Sequence, residues 1–154
     1  MASDAKPRTR ILLIEDNAAD AEMAELAFAS VGAHADISVL QDGEDAIGQF
    51  SEERPLAPDP AFVLLDLNLP RVGGFEVLEA IKSLQRTRHI PVVVLTSSES
   101  QDDILRSYRL GASSYVVKPM GFSAYREMAR CICEFWLQSA RLPSTAPGTN
   151  LPTI

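Results

Sequence analysis

An α/β domain is what this sequence predicts: a doubly wound, five-stranded parallel sheet with five helices. Three observations carry that expectation. Short apolar runs, rich in β-branched residues, alternate five times with segments whose apolar residues recur at helical spacing. Two of the runs, Phe62-Val63-Leu64-Leu65 and Val92-Val93-Val94-Leu95, lack any apolar–polar alternation, as strands covered on both faces do. The runs also end in polar or charged residues, Glu15-Asp16, Asp66, Thr96 and Lys118, where a buried strand would emerge toward solvent. Right-handed crossovers leave few topologies for five such strands, and the flavodoxin-like order 2-1-3-4-5 fits.

The first strand is Ile11-Leu12-Leu13-Ile14. Asn17 follows as an N-cap, and Asp20 places negative charge at the helix N-terminus. Ala24, Ala27, Phe28 and Val31 then keep helical spacing up to Gly32. Ile37-Ser38-Val39-Leu40 alternates, as a less buried edge strand would. Gln41-Asp42-Gly43 turns into a short helix through Ala46, Ile47 and Phe50, and the Pro-rich, charged residues 51–60 are expected to form a surface loop. After the third strand, Val77, Leu78, Ile81 and Leu84 mark a helix. The fourth strand starts at Pro91, and residues 102–110 form the next helix, with Asp102 and Arg106 spaced to pair. Tyr115-Val116-Val117 is the fifth strand, and Ser123 is placed to cap a last helix running to about residue 142. Residues 1–9 are expected to be a flexible N-terminus and residues 143–154, rich in Pro, Ser, Thr and Gly, a tail or arm. That leaves 10–142 as the domain.

At 154 residues the chain suffices for one domain with a real core, and 46% apolar with 23% charged residues is ordinary for a globular protein. A net charge of −7, with no basic cluster longer than Lys6-Pro7-Arg8-Thr9-Arg10, speaks against nucleic-acid binding. The first apolar run is too short for a signal peptide or a membrane span, so the expected location is cytoplasmic. Cys131 and Cys133 stand two apart in a helical pattern and point to different faces, which suits reduced packing residues better than a disulfide or a metal site.

In sheets of this order, function gathers outside the carboxyl ends of the strands, at the switch point between the first and third. Asp66 alone would be read as a strand-end cap; together with the other strand ends it makes one chemistry. Glu15, Asp16 and Asp66 in one crevice repel: two unit charges about 4 Å apart cost about 4 kcal/mol at an effective dielectric of about 20. A divalent cation relieves this, and hard oxygen donors with an open side suit Mg²⁺, with the backbone carbonyl of Asn68 as a further ligand. With a phosphoryl group present, Asp66 can act as nucleophile and form an acyl phosphate. Lys118 can neutralise one phosphoryl oxygen and the Thr96 hydroxyl can donate to another. A cis Lys118–Pro119 bond would hold the lysine inward.

Those residues, in that order, resemble a response-regulator receiver domain of chemotaxis type, the phosphoacceptor half of a two-component system. The resemblance covers about residues 10 to 140 and is carried by Glu15-Asp16, Asp66, Thr96 and Lys118-Pro119 at four strand ends. It implies Asp66 as phosphoacceptor, Glu15 and Asp16 as Mg²⁺ ligands, and Thr96 with Tyr115 as a switch pair. Arg71-Val72-Gly73-Gly74 departs from the family's usual proline-x-methionine-aspartate-glycine, touching the loop but none of those positions. The stretches 103–108 and 111–115 and the late Phe135-Trp136-Leu137 are similar to a narrower group, single-domain regulators paired with phytochrome-type histidine kinases.

The expected protein is therefore a phosphoacceptor rather than an enzyme, assisting only its own phosphotransfer and dephosphorylation. Its implied partner is a sensor histidine kinase, a bacteriophytochrome among the candidates, or a histidine phosphotransfer protein. No output domain is expected after residue 142, so the readout is expected to be another molecule. Residues 131–137 are apolar nearly all round, which predicts a homodimer through Ile132, Phe135 and Trp136. Two other readings compete. A haloacid-dehalogenase-type phosphatase would need an acid two residues after the nucleophile, where Asn68 stands. A pseudo-receiver acting only as a binding module would lack one of the acids or the lysine, and none is missing.

Overall fold

The computed structural model describes residues 8–32, 35–51 and 59–143. Five strands, β1 (Thr9–Ile14), β2 (Ala35–Leu40), β3 (Phe62–Leu65), β4 (Val92–Thr96) and β5 (Ser114–Val117), form one parallel sheet in the order 2-1-3-4-5. Between and after them run α1 (Ala18–Ser30), α2 (Gly43–Ser51), α3 (Gly74–Ser83), α4 (Gln101–Arg109) and α5 (Phe122–Cys133). The predicted fold is the observed one.

Strand periodicity divides the core into two layers. Leu12, Ile14, Val63, Leu65, Val92 and Val94 face Ala46 and Phe50 of α2 and Val77, Leu78 and Ile81 of α3. The intervening Ile11, Leu13, Phe62, Leu64, Val93 and Leu95 face Ala21, Ala24, Ala27 and Phe28 of α1 and Tyr125, Ala129, Ile132 and Cys133 of α5. Both neighbours of the central β3 are strands and both its faces carry helices, so all four of its residues are fully buried. β2, at one edge, is only half-buried, which is why its sequence alternates. Alanines at three of the four buried positions of α1 let that helix lie close to the sheet and beside α5. Cys133 is buried and Cys131 exposed, on different faces as expected.

Several boundaries differ from the expectation. Strand β1 starts at Thr9, and Arg8 just ahead of it pairs with Asp36 at 2.6 Å, so pairing reaches past residue 10. The last helix starts without a Ser123 cap: the capping position is Gly121, and Ser123 lies inside the first turn. Gly121 has φ +85°, a conformation that disfavours side chains, and this backbone path rather than a capping hydroxyl fixes the start. Regular helix stops at Cys133, not near residue 142. A π-helical turn (Glu134–Ser139) follows, closed by the Ala140 N–H donating to the Phe135 carbonyl at 2.7 Å. The wider turn accompanies the packing of Trp136 on Phe62, ring centroids 6.0 Å apart. Arg106 does not pair with Asp102; its guanidinium lies 4.1 Å over the Phe75 ring and ties α4 to α3. Most of the proline-rich loop (52–58), the N-terminal residues 1–7 and the tail beyond residue 143 lie outside the described residues.

Between β3 and α3 the chain turns back sharply, so that the Gly74 N–H donates to the Leu67 carbonyl at 3.2 Å. A Cβ on Gly74 would lie 2.4 Å from the Asp66 carbonyl oxygen and 2.5 Å from the Leu67 Cα. Backbone on both sides leaves no room to yield. Gly74→Ala is therefore expected to lower stability by about 2 kcal/mol or more, the upper range of overpacking penalties. The midpoint of urea unfolding measures this, and an unchanged midpoint would contradict the close approach.

Candidate functional site

The sheet register delivers the chemistry to one edge. Ile14 pairs with Leu65, so Glu15 and Asp66 leave adjacent strands side by side. Backbone pairing runs through into the acids: the Asp66 N–H donates to the Ile14 carbonyl at 3.0 Å and the Glu15 N–H to the Leu40 carbonyl at 2.9 Å. Thr96 ends β4, and the Lys118 N–H donates to its carbonyl at 2.8 Å. Four strand ends thus form one row.

Lys118 is the hub of that row. Its Nζ lies 2.7 Å from Glu15 Oε2, 2.8 Å from Asp20 Oδ2 and 2.9 Å from Asp66 Oδ2. An ammonium offers three N–H donors, and here three carboxylates surround them. The Lys118–Pro119 bond is trans, so the conditional case of a cis bond holding the lysine inward does not apply. The carboxylates draw the ammonium inward without it.

Burial then sorts the acids. Glu15 and Asp66 are buried, whereas Asp16 is exposed. Loss of solvation pushes Glu15 up to about 7, against the hydrogen bond to Lys118 and with the help of the neighbouring Asp66. Burial acts on Asp66 in the same sense but is outweighed. Hydrogen bonds from Lys118 and from the Asn68 N–H, 3.1 Å from Oδ1, hold its carboxyl below the usual range. Burial would lower Lys118, yet the bonds to Asp20, Asp66 and Glu15 hold its ammonium above the ordinary lysine range. The adjacent acids are therefore unequal: Asp66 is ionised beside a Glu15 that keeps a proton to near neutrality.

One oxygen from each of Glu15, Asp16 and Asp66 lies within 4.8 Å of the others. Three carboxylates, open to water on the Asp16 side, are a donor set that fits a hard, oxygen-ligated divalent cation. Asn68, expected as a further ligand through its carbonyl, is exposed and meets Asp66 through its N–H. Thr96 is fully buried, and its Oγ1 accepts from the Ser98 N–H at 3.4 Å. Tyr115 is half-buried, and its hydroxyl donates to the Ser98 carbonyl at 2.9 Å. The two expected switch residues thus meet at Ser98. Of the three expected interface residues, Ile132 faces the core, Phe135 is 55% exposed, and Trp136 is half-buried against Phe62. The interface expectation therefore narrows to Phe135 and the exposed part of Trp136.

Two residues of this neighbourhood are not marked by the sequence pattern. Asp20 has the position of a helix-end charge, but its side chain reaches Lys118; the only signal is its place four residues after Asp16. Tyr125 lies in the apolar stripe of α5, and nothing marks its hydroxyl. That hydroxyl is buried with no partner among the described residues. Burial first, and then the nearby acids against the opposing Lys118, push it up to about 12.

A parallel sheet with acids and a lysine at its switch point is an α/β domain of the doubly wound class, with its charged groups where such sheets bind ligands. Residues 11–130 match the family model of the response regulator receiver domain, and the chain belongs to that family. It is 43% identical over 137 residues to the probable methanogenesis regulatory protein FilR2 of Methanothrix harundinacea, covering 88% of each chain. It is 36% identical to the response regulator Rcp1 of Synechocystis, covering 94% of this chain and 99% of Rcp1. The crystal structure of the Mn²⁺-bound form of Rcp1 superposes with a TM-score of 0.80, covering 88% of this chain and 99% of that one. The phosphorylated cyanobacterial phytochrome response regulator RcpA gives 0.82 at 39% identity, covering 89% and 99%.

The raised Glu15 carboxyl has a thermodynamic consequence. In metal-free protein the folded state holds this proton up to about pH 7 while the unfolded chain releases it near 4.5, so folded protein binds more protons across that window. Its contribution to stability is therefore full below pH 4.5, falls as pH rises to about 7 and is flat above. Glu15→Gln, a mimic of the protonated form, should gain on wild type across the same window. Urea unfolding with a chelator at a series of pH values measures it. A difference between the two proteins that does not change with pH would contradict the shift.

Proposed function

We propose that the protein is a phosphoacceptor of a two-component system, taking a phosphoryl group from a sensor histidine kinase on Asp66. The observation that carries this reading is an ionised, buried Asp66 beside Lys118 at the switch point of the sheet. One oxygen of Asp66 attacks the phosphorus, the bond from phosphorus to the donor nitrogen breaks, and its electron pair returns to that nitrogen. Lys118 supplies positive charge to the transferred group, and the Thr96 hydroxyl offers a donor from β4. Glu15, Asp16 and Asp66 would hold Mg²⁺, which when bound neutralises phosphoryl charge. That Rcp1 has a Mn²⁺-bound form supports a divalent cation in this chain too, for which Glu15, Asp16 and Asp66 are the candidate ligands.

Incubation with Mg²⁺ and acetyl phosphate, followed by intact mass, tests the reading. Wild type is expected to gain one phosphoryl group, and Asp66→Asn none. No gain under any donor would leave a binding module, and steady hydrolysis of small phosphate esters would favour the phosphatase.

In this reading the signal leaves through Thr96 and Tyr115. A phosphoryl group on Asp66 draws the Thr96 hydroxyl toward it, and Tyr115 repacks against the loop that both residues share at Ser98. The phytochrome pairing named for RcpA suggests a phytochrome-type kinase as the donor. Phe135, with Phe122 and Met120 also exposed near the last helix, suits a second copy of the chain as the surface that receives the signal. Sedimentation velocity at micromolar concentration is expected to show a dimer that Phe135→Ser dissociates; a monomeric wild type would contradict it.

A further inference from the structure

Lys118 has one partner more than phosphoryl acceptance uses. Glu15 and Asp66 come from strand ends and belong with Asp16 to the group of acids able to share a cation. Asp20 comes from the first turn of α1 and stands outside that group, yet it holds Nζ at 2.8 Å, as closely as the other two. With three carboxylates around its three N–H bonds, the ammonium has none left for a phosphoryl oxygen. One carboxylate has to let go.

Burial decides which. As a phosphoryl donor approaches, Asp66 is still a carboxylate, and the side chains of Glu15 and Asp66 are 2% and 4% exposed, so an ammonium leaving either one would leave a buried acid group without its partner and away from water. The Asp20 side chain is 41% exposed, and its carboxylate is taken up by water when the ion pair opens. The backbone of Asp20 is fixed independently, its N–H donating to the Asn17 side-chain oxygen at 2.9 Å. The carboxylate can therefore swing out without unwinding the helix.

We propose that Asp20 is a positioning residue for Lys118. It holds the ammonium aimed at the pocket while Asp66 is unmodified, and yields it to an oxygen of the incoming phosphoryl group as Asp66 takes that group. The proposal rests on Asp66 being the phosphoacceptor. No proton moves in the exchange; one Lys118 N–H changes its hydrogen-bond acceptor from Asp20 Oδ2 to the phosphoryl oxygen.

The exchange can be watched directly. Lys6, Lys82 and Lys118 are the only lysines, so the Lys118 ammonium can be followed by NMR in protein labelled with ¹⁵N-lysine. Asp20→Asn should shift that signal in unphosphorylated protein, and after acetyl phosphate with Mg²⁺ the variant and wild-type signals should coincide. Uptake of phosphoryl groups, read by intact mass, should be faster in Asp20→Asn by about two- to fivefold, the effect of no longer releasing one part-exposed ion pair. Glu22→Gln removes the same charge from an exposed position on α1 and should leave both readouts at wild-type values. A Lys118 difference that survives phosphorylation, or uptake no faster than in Glu22→Gln, overturns the exchange. Wild type that takes no phosphoryl group at all overturns the reading of Asp66 itself, which is a different failure.

Discussion

The cluster around the Lys118 ammonium is the interaction on which the arrangement of this protein depends. It joins β1, through Glu15, to α1, through Asp20, to β3, through Asp66, and to its own position after β5. Acids packed together would drive these elements apart, and one shared cation holds them in place. The cation is also insufficient. Asp16, Asp20, Glu15 and Asp66 around a single lysine leave the cluster net negative even with Glu15 protonated, so the folded protein keeps an affinity for further positive charge. The residual field is directional: it opens where Asp16 is exposed and closes where Glu15 and Asp66 are buried.

Such a site needs a sheet of this topology. In a parallel sheet all strands end on the same side, and with the order 2-1-3-4-5 the helices after β1 and β3 depart to opposite faces. The edge between them is therefore uncovered, and the residues just beyond Ile14 and Leu65 meet there rather than being capped by a crossover. The same geometry limits the loop beyond β3. The chain after Asp66 has to turn at once beneath α3, and Gly74 provides the space for that turn where any Cβ would strike backbone.

Much of this was legible in the sequence because it is written in period. Residues 62–65 could only be a strand covered on both sides, and all four are fully buried. Glu15, Asp16, Asp66, Thr96 and Lys118 stand out because strand ends are easy to locate and the chemistry lies at strand ends. What stayed hidden depends on rotation and path, which period does not encode. The helical phase of α1 decides that Asp20 turns to Lys118 rather than to solvent, and the phase of α5 decides that the Tyr125 hydroxyl is buried. An apolar run at 131–137 looks helical throughout, but the π turn depends on how Trp136 packs on Phe62. The start of α5 depends on a positive φ at Gly121, and a nearby serine offered a false cap.

The asymmetry between the helices shows where a local change of charge can become a change of shape. Helices α1, α3 and α5 each bury several apolar or small residues, while α4 buries Ser107 alone. Besides Arg106 over the Phe75 ring and the Tyr115 N–H donating to the Tyr108 hydroxyl, α4 is attached by polar contacts that run back to the pocket. Ser98 receives Tyr115 at its carbonyl, gives its N–H to Thr96 Oγ1, and gives its own hydroxyl to Asp103 in the first turn of the helix at 2.6 Å. Ser100 caps that same turn, its hydroxyl accepting from the Asp103 N–H at 3.3 Å. Thr96 is thus two residues from the strap that seats α4, and a demand made on its hydroxyl reaches the helix through hydrogen bonds rather than through the core. Shifting α4 would therefore expose less apolar surface than shifting α1, α3 or α5. In the proposed reading, the fully buried β3 stays fixed while the lightly held α4 carries the change to the surface.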